Sequence, residues 1–465
     1  MSSNFEEKRT SLGVLFDTDY GKIVFSLTAI VIVVLMTDTL LIKLSDFFVT
    51  SFNFEVSLIS FIAIAATFGA GQFLFLRLVG EKIKAFRVKG SFSMYLHKVV
   101  LGVQYALAAI LVLITLELLT ISQYSVNMLI ASVTISYSLG AAAMLILARY
   151  FLLWYKMNKD YLMLAYGVSA VVLAVHLVFT FSFVDYVLSG LPTTMHTPFY
   201  NPPFFATGSL EFALNSVHTT TSIVTFITMW VATALLLHEY SQKLGAIRYW
   251  VLISLPLVYF LSQFPTVFFN LFDPIIKQDP LFYGTLLIVI FALSKPAGGI
   301  LFGVAFWSAA MRVRRDAAVR DYLILCGYGF VLLFTADQGI TLINAAYPPF
   351  GIATISFMGL SAYLILNGIL YSAASVSQDA RLRREIRKLA TSHSKLLGSI
   401  SSAQFEKEVR DKLVALTRYE EDMRRRTGAE PSINENEAMD YLDEVLRERV
   451  SSEKMQDDED SGKAT

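Results

Sequence analysis

Three things are scarce in this chain of 465 residues: cysteine, charge and small helix-breaking residues. The one cysteine, Cys326, excludes an intramolecular disulfide, so nothing points to an oxidised extracellular domain. Charged residues make up 16%, against about 25% in ordinary soluble domains, which excludes a conventional solvated surface. Glycine is 25 of 465, below the usual share of about 7%, and proline is only 12. Transport helices generally need small residues where they pack closely, so this scarcity argues against a transporter. Formal net charge is zero, with no basic excess to imply nucleic-acid binding. There is no HExxH-type ligand spacing, phosphate loop or activated nucleophile, so no catalytic residue, metal site or cofactor is expected. The three spaced histidines His176, His218 and His238 lie at different depths, which argues against haem.

What fills the chain is apolar: 55% hydrophobic residues, 36 Phe, 22 Tyr and a mean hydropathy of +0.56. A helix that spans a bilayer needs about 20 apolar residues. Ten such runs can be read, about Ile23–Ile42, Val56–Leu76, Val99–Thr120, Val126–Leu147, Tyr161–Val184, Phe212–Leu237, Val251–Leu271, Phe282–Trp307, Tyr322–Leu342 and Phe350–Ser372. They are continuously apolar and do not alternate as barrel strands would. The first run follows a mixed-charge N-terminus with no small-residue cleavage site, and reads as a retained helix. The expected fold is therefore all-α: a polytopic transmembrane bundle of about ten helices over residues 1–375, with a short cytoplasmic helical tail over 376–465.

Every second loop is basic. Lys82, Lys84, Arg87, Lys89 and Lys98 are followed by Arg149, Lys156 and Lys159, then Lys243 and Arg248, then Arg312, Arg314, Arg315 and Arg320. The intervening loops hold only Lys43 and Lys277. The positive-inside rule puts both termini in the cytoplasm, in a cell membrane, with the basic loops against anionic lipid headgroups. Ten spans are compatible with five plus an inverted five, but the halves share no residue-level similarity. The uncharged stretch Leu191–Phe205 reads as an interfacial connector with aromatic anchors, or as a lid over an outer vestibule.

Charges inside spans are costly and tend to mark function. Lys295 lies in Ser294-Lys295-Pro296-Ala297-Gly298-Gly299, near the expected midplane of span eight. Pro296 removes a backbone N–H, and Gly298 and Gly299 loosen the helix further. A broken midplane helix is a common way to build a solute or ion site; the plainer alternative is a kink with Lys295 in a structural ion pair. His176 and Gln263 lie at similar depth and join the solute-site candidates, although a buried histidine is more often structural. A second set lies near the outer face: Asp38, Glu117 and Asp337 on outward-running spans, with Asp185 and His218 nearby. These acids sit at helix C-termini, where the macrodipole disfavours negative charge, so each needs a partner, a cation or a proton. Either some converge on a cation or proton site, or each is hydrated separately. The run Thr219–Thr221 is expected to bond back to its own helix.

Past Val376 the chain turns charged. Leu382, Ile386, Leu389, His393, Leu396 and Ile400 recur in heptad steps, a coiled-coil signature for a homo-oligomer or a partner protein, interrupted at Gly398. Further helices are expected over Ala403–Arg426 and from Ser432, with Glu435 completing a capping box. The acidic end reads as disordered. Arg381, Arg383, Arg384, Arg387 and Lys388 anchor to lipid headgroups. His393 lacks the following acid and the ATP-binding domain of a sensor kinase.

The pairing of SKPAGGILFG (Ser294–Gly303) with SQDARLRREIRKLA (Ser377–Ala390) resembles uncharacterised multi-pass membrane proteins of archaea. That resemblance implies a membrane domain with a charged tail, and no activity, cofactor or catalytic residue. Two functions stand beside each other. A transporter or permease-like protein fits the broken helix and buried lysine. A membrane sensor fits the helical tail that follows span ten. A membrane enzyme is the weakest alternative.

Overall fold

The computed structural model describes residues 19–43, 54–85, 91–195, 208–238, 240–264, 277, 289–290, 292–313, 318–344, 346–378 and 395–427. Helices dominate: α1 (Asp19–Lys43), α2 (Phe54–Ala85), α3 (Ser91–Ile121), α4 (Val126–Asn158), α5 (Tyr161–Ser189), α6 (Leu210–Leu237), the short α7 (Tyr240–Leu244), α8 (Ala246–Leu261), α9 (Ser294–Arg312), α10 (Ala318–Ala336), α11 (Ile352–Gln378) and α12 (Lys395–Thr427). A 3₁₀ turn covers Gly339–Asn344. Tyr124–Ser125 and Thr194–Met195 form a small antiparallel ladder between the connections that follow α3 and α5.

Among the described residues seven helices are long and apolar enough to cross a membrane. They fall on the second to sixth, ninth and tenth apolar runs of the sequence, and they make this a multi-pass membrane protein. The first and seventh runs correspond to shorter apolar helices, Thr28–Leu41 and Ala246–Leu261. The eighth run begins outside the described residues and ends in α9.

Burial sorts the helices into a centre and a rim. The span Ile352–Ser377 of α11 is 100% buried, whereas Met94–Ile121 of α3 is 28% buried. α11 is thus a central rod, packed against α1 to α4, α10 and α12. Three of its serines are satisfied within the helix: Ser356, Ser361 and Ser372 each donate to the carbonyl four residues back. On the rim, α8 turns Ile247, Val251, Leu252, Leu255 and Val258 outward, the surface lipid tails would cover.

Glycine is scarce overall but placed where helices touch. A Cβ on Gly303 would fall 2.7 Å from the carbonyl oxygen of Gly327, and one on Gly299 would fall 2.9 Å from the Cβ of Phe334. Between α10 and α11, a Cβ on Gly368 would meet Cys326 at 2.7 Å. Without a hydrophobic drive between helices in lipid, close backbone approach over small residues is a main source of cohesion.

Several expectations change. α8 ends at Leu261, so Gln263 lies just beyond a helix end and not within a continuous helix. Pro265 follows, and the residue before a proline is pushed out of the helical region, which ends the helix early. α9 begins at Ser294, so Lys295 and Pro296 occupy its first turn and not its middle. Proline is tolerated there because the first N–H groups have no helical partner. Gly398 does not interrupt the tail: α12 runs through it from Lys395 to Thr427. One glycine costs a helix only about 1 kcal/mol, and burial of Leu397, Ile400 and Ala403 offsets that. The heptad positions from Leu382 to His393, the basic cluster at 381–388, the helix from Ser432 and most of Leu191–Phe205 lie outside the described residues.

α12 docks on one end of the bundle. Ser399 donates to Asp160 at the start of α5, and Asn158 donates to the Ser399 carbonyl at 3.4 Å. Trp154 of α4 donates to Gln404 at 3.2 Å, and Ser377 of α11 donates to Glu408 at 2.7 Å. Lys407 lies over the Tyr150 ring at 4.8 Å.

Candidate functional site

Two helices break at the same place from opposite directions. Val289, Ile290 and Ala292 are helical, Leu293 is a turn, and α9 starts anew at Ser294. α10 stops at Ala336; Asp337 and Gln338 are irregular, and the chain resumes as the 3₁₀ turn. α9 and α10 are neighbours, and the bonds between Lys295 and Asp337 place the N-terminus of one against the C-terminus of the other.

Each end carries the charge its dipole disfavours. Lys295 sits in the first turn of α9, where the partial charge is positive, and Asp337 follows the last residue of α10, where it is negative. Their pairing offsets both. Lys295 Nζ donates to Asp337 Oδ2 at 2.7 Å and to the Asp337 backbone carbonyl at 2.9 Å. Side-chain exposure is 14% for the lysine and 4% for the aspartate. Removing ions from water is expensive, so a pair this deep is held by its geometry and partners.

Two histidines complete the cluster. His176, midway along α5 and wholly buried, lies with Nε2 at 3.3 Å from Asp337 Oδ2. Its Nδ1 is 3.0 Å from Thr221 Oγ1 on α6. His218, one turn earlier on α6, has Nδ1 at 3.2 Å from Thr180 Oγ1, and the two imidazoles lie 5.1 Å apart. Tyr137 of α4 closes another side, its hydroxyl accepting from the Gly339 N–H at 2.8 Å. Asp337 Oδ1 is buried without a hydrogen-bond partner among the described residues.

Below the break, Phe226 of α6 stacks on Phe260 of α8 at 4.0 Å and meets Phe302 and Phe334 edgewise or tilted. Gly298 leaves room for this cluster on α9, to which Phe302 also belongs: a Cβ there would lie 2.3 Å from the Phe226 ring. Gln263 donates to the Phe260 carbonyl at 2.8 Å and to Ser294 Oγ at 3.4 Å, next to Lys295 in the chain.

The structure therefore brings together members of two sets that the sequence kept apart. Lys295 and His176, placed at the midplane, meet Asp337 and His218, placed nearer the outer face. The other outer acids lead elsewhere. Asp38 accepts from Gly351 N at 2.7 Å, from Thr354 N at 3.0 Å and from Thr354 Oγ1 at 2.7 Å, and so caps the N-terminus of α11. Glu117 accepts from Ser125 N at 2.9 Å. Asp185 is exposed.

Thr180, Thr221 and Tyr137 were not singled out by sequence reasoning as members of the site. For the threonines a signal existed: Thr180 follows His176 by four residues and Thr221 follows His218 by three, which puts each pair on one helix face. The break at Asp337 was also legible in principle, as Asp-Gln-Gly is turn chemistry inside an apolar run. Nothing local marks Tyr137. Comparisons with protein-family models, curated proteins and solved structures find no match to this chain.

Proposed function

We propose that this chain is a transporter or permease-like membrane protein that moves a small solute or ion through a site at the broken helices. One observation carries the reading: the buried Lys295–Asp337 pair joins two helix ends, each holding the charge its own dipole opposes. Discontinuous helices with freed backbone groups at mid-membrane are a common device for binding and releasing a solute. A merely structural kink needs neither a lysine nor two histidines. The topology proposed with this function has about ten crossings and both termini in the cytoplasm; its support is the basic charge of alternate loops. The likeness to archaeal multi-pass proteins with charged tails belongs to the same proposal.

The test is a thermal-shift screen of purified protein against small ions, amines and carboxylates, with Lys295→Met beside it. A ligand at 100 Kd stabilises the folded state by about 2.7 kcal/mol. A shift present in the native protein and lost in Lys295→Met supports the site. Ligands that stabilise both proteins equally bind elsewhere and overturn it.

A second reading, a sensor that signals through its tail, has its own support. α12 is held on the ends of α4, α5 and α11 by Trp154, Asp160 and Ser377, so a shift of those helices reaches the tail directly. Deleting the residues after Gln378 separates the two. A transporter keeps solute uptake in proteoliposomes without the tail, whereas a sensor keeps its solute site and loses its output.

A further inference from the structure

We propose that His176 is a proton-binding group whose proton competes with the Lys295 ammonium for a single oxygen, Oδ2 of Asp337. This rests on the transporter reading and names its coupling ion.

Hydroxyl arithmetic carries the argument. A threonine hydroxyl has one hydrogen to give and two lone pairs. Thr221 Oγ1 lies 2.9 Å from the His218 carbonyl, and Thr180 Oγ1 lies 2.8 Å from the His176 carbonyl. Those helical back-bonds spend both hydrogens. Each threonine oxygen then turns a lone pair to a ring nitrogen, at 3.0 Å for His176 Nδ1 and 3.2 Å for His218 Nδ1. Both nitrogens are placed as donors.

For His176 this has a consequence that His218 escapes. With its hydrogen on Nδ1, a neutral His176 aims the bare lone pair of Nε2 at Asp337 Oδ2, 3.3 Å away. Moving the hydrogen to Nε2 leaves Nδ1 facing Thr221 with no hydrogen between them, unless Thr221 gives up the His218 carbonyl. Only the imidazolium satisfies both contacts. Yet Lys295 already donates to the same Oδ2 at 2.7 Å, and the cluster has one carboxylate for two cations. Geometry invites the proton and charge opposes it, so the state of His176 follows whatever Lys295 does.

The charged and titratable groups around His176 come from every neighbouring element: Tyr137 on α4, His218 on α6, Lys295 on α9 and Asp337 at the end of α10. The 3₁₀ turn against α5 holds none, being Gly-Ile-Thr-Leu-Ile-Asn. α12 meets α5 near Asp160, at the N-terminal end of the helix and about four turns from His176. Among these groups His176 Nε2 is the nitrogen that faces Asp337 Oδ2, and Asp337 is the one carboxylate of the cluster among the described residues.

The test is ¹⁵N-histidine solid-state NMR of the full chain in lipid bilayers, at one fixed pH. The chain has 6 histidines, and the His176 signal is assigned by its loss in His176→Gln. Lys295→Met is expected to raise the imidazolium share of His176, Asp337→Asn to lower it, and Lys295→Arg to leave it near the native value. An unchanged share in Lys295→Met overturns the proposal. If that variant does not fold, Asp337→Asn decides alone, and a share unmoved by loss of the carboxylate is equally fatal. No solute is needed, so the two readings fail separately. A responsive His176 without any solute leaves a proton site that is not a transport site. A solute response with an inert His176 removes the proton site only.

Discussion

Asp38 and Asp337 are both buried carboxylates near the C-terminal ends of apolar helices, yet they are held in opposite ways. Asp38 has its oxygens filled by two backbone N–H groups and a hydroxyl at the N-terminus of α11, the helix end that favours negative charge. Asp337 lies at the C-terminal end of α10, shares one oxygen between a lysine and a histidine, and leaves the other without a partner among the described residues. The first is a cap, neutralised by dipoles that come with the helix. The second depends on two separate side chains, from α5 and α9. Both acids are buried; what distinguishes Asp337 is that a lysine and a histidine share one of its oxygens while the other has no hydrogen-bond partner among the described residues.

The contrast can be broken experimentally, from the largest effect down. Lys295→Met strips Asp337 of its main partner and is expected to cost about 3–5 kcal/mol, read as lost stability on chemical unfolding in detergent. Adding Asp337→Asn to that variant removes the orphaned charge and should recover most of the loss. A double variant no more stable than the single would mean that charge is not the issue. Asp38→Asn keeps an acceptor but puts an amide against backbone donors, for about 1–3 kcal/mol. A larger loss there than in Lys295→Met would reverse the ranking of the two sites. Thr354→Val deletes one donor to Asp38 and leaves two, for about 1 kcal/mol by the same measurement. Glu117→Gln, at a half-buried acid with one backbone partner, should change stability by less than about 1 kcal/mol, and serves as the baseline.

Much of the bundle was legible in the sequence because a membrane span needs only length and apolarity. The runs Val56–Leu76, Val99–Thr120 and Tyr161–Val184 each fall inside a described helix. Helix ends were read less well, since they depend on single residues such as Pro265 and Asp337, which a hydropathy window averages away. For the site, the sequence supplied the members without the grouping. Lys295, His176, His218 and Asp337 each stood out as polar groups in apolar runs. Depth counting then divided them, because the ninth run was counted as one helix through Asp337, whereas α10 stops at Ala336. Asp38 was assigned an unfavourable environment from its own helix; the groups that satisfy it belong to α11, far along the chain.

By itself the sequence determined that this is an all-helical membrane protein with rare, conspicuous charges, because lipid tolerates only helices or closed barrels and the cost of each charge is intrinsic to its side chain. Tertiary structure alone decided which charges meet. Pairing depends on how helices rotate and on where they stop, and those are set by contacts such as Gly303 on Gly327 and Gly298 on Phe226, between residues that are remote in the chain.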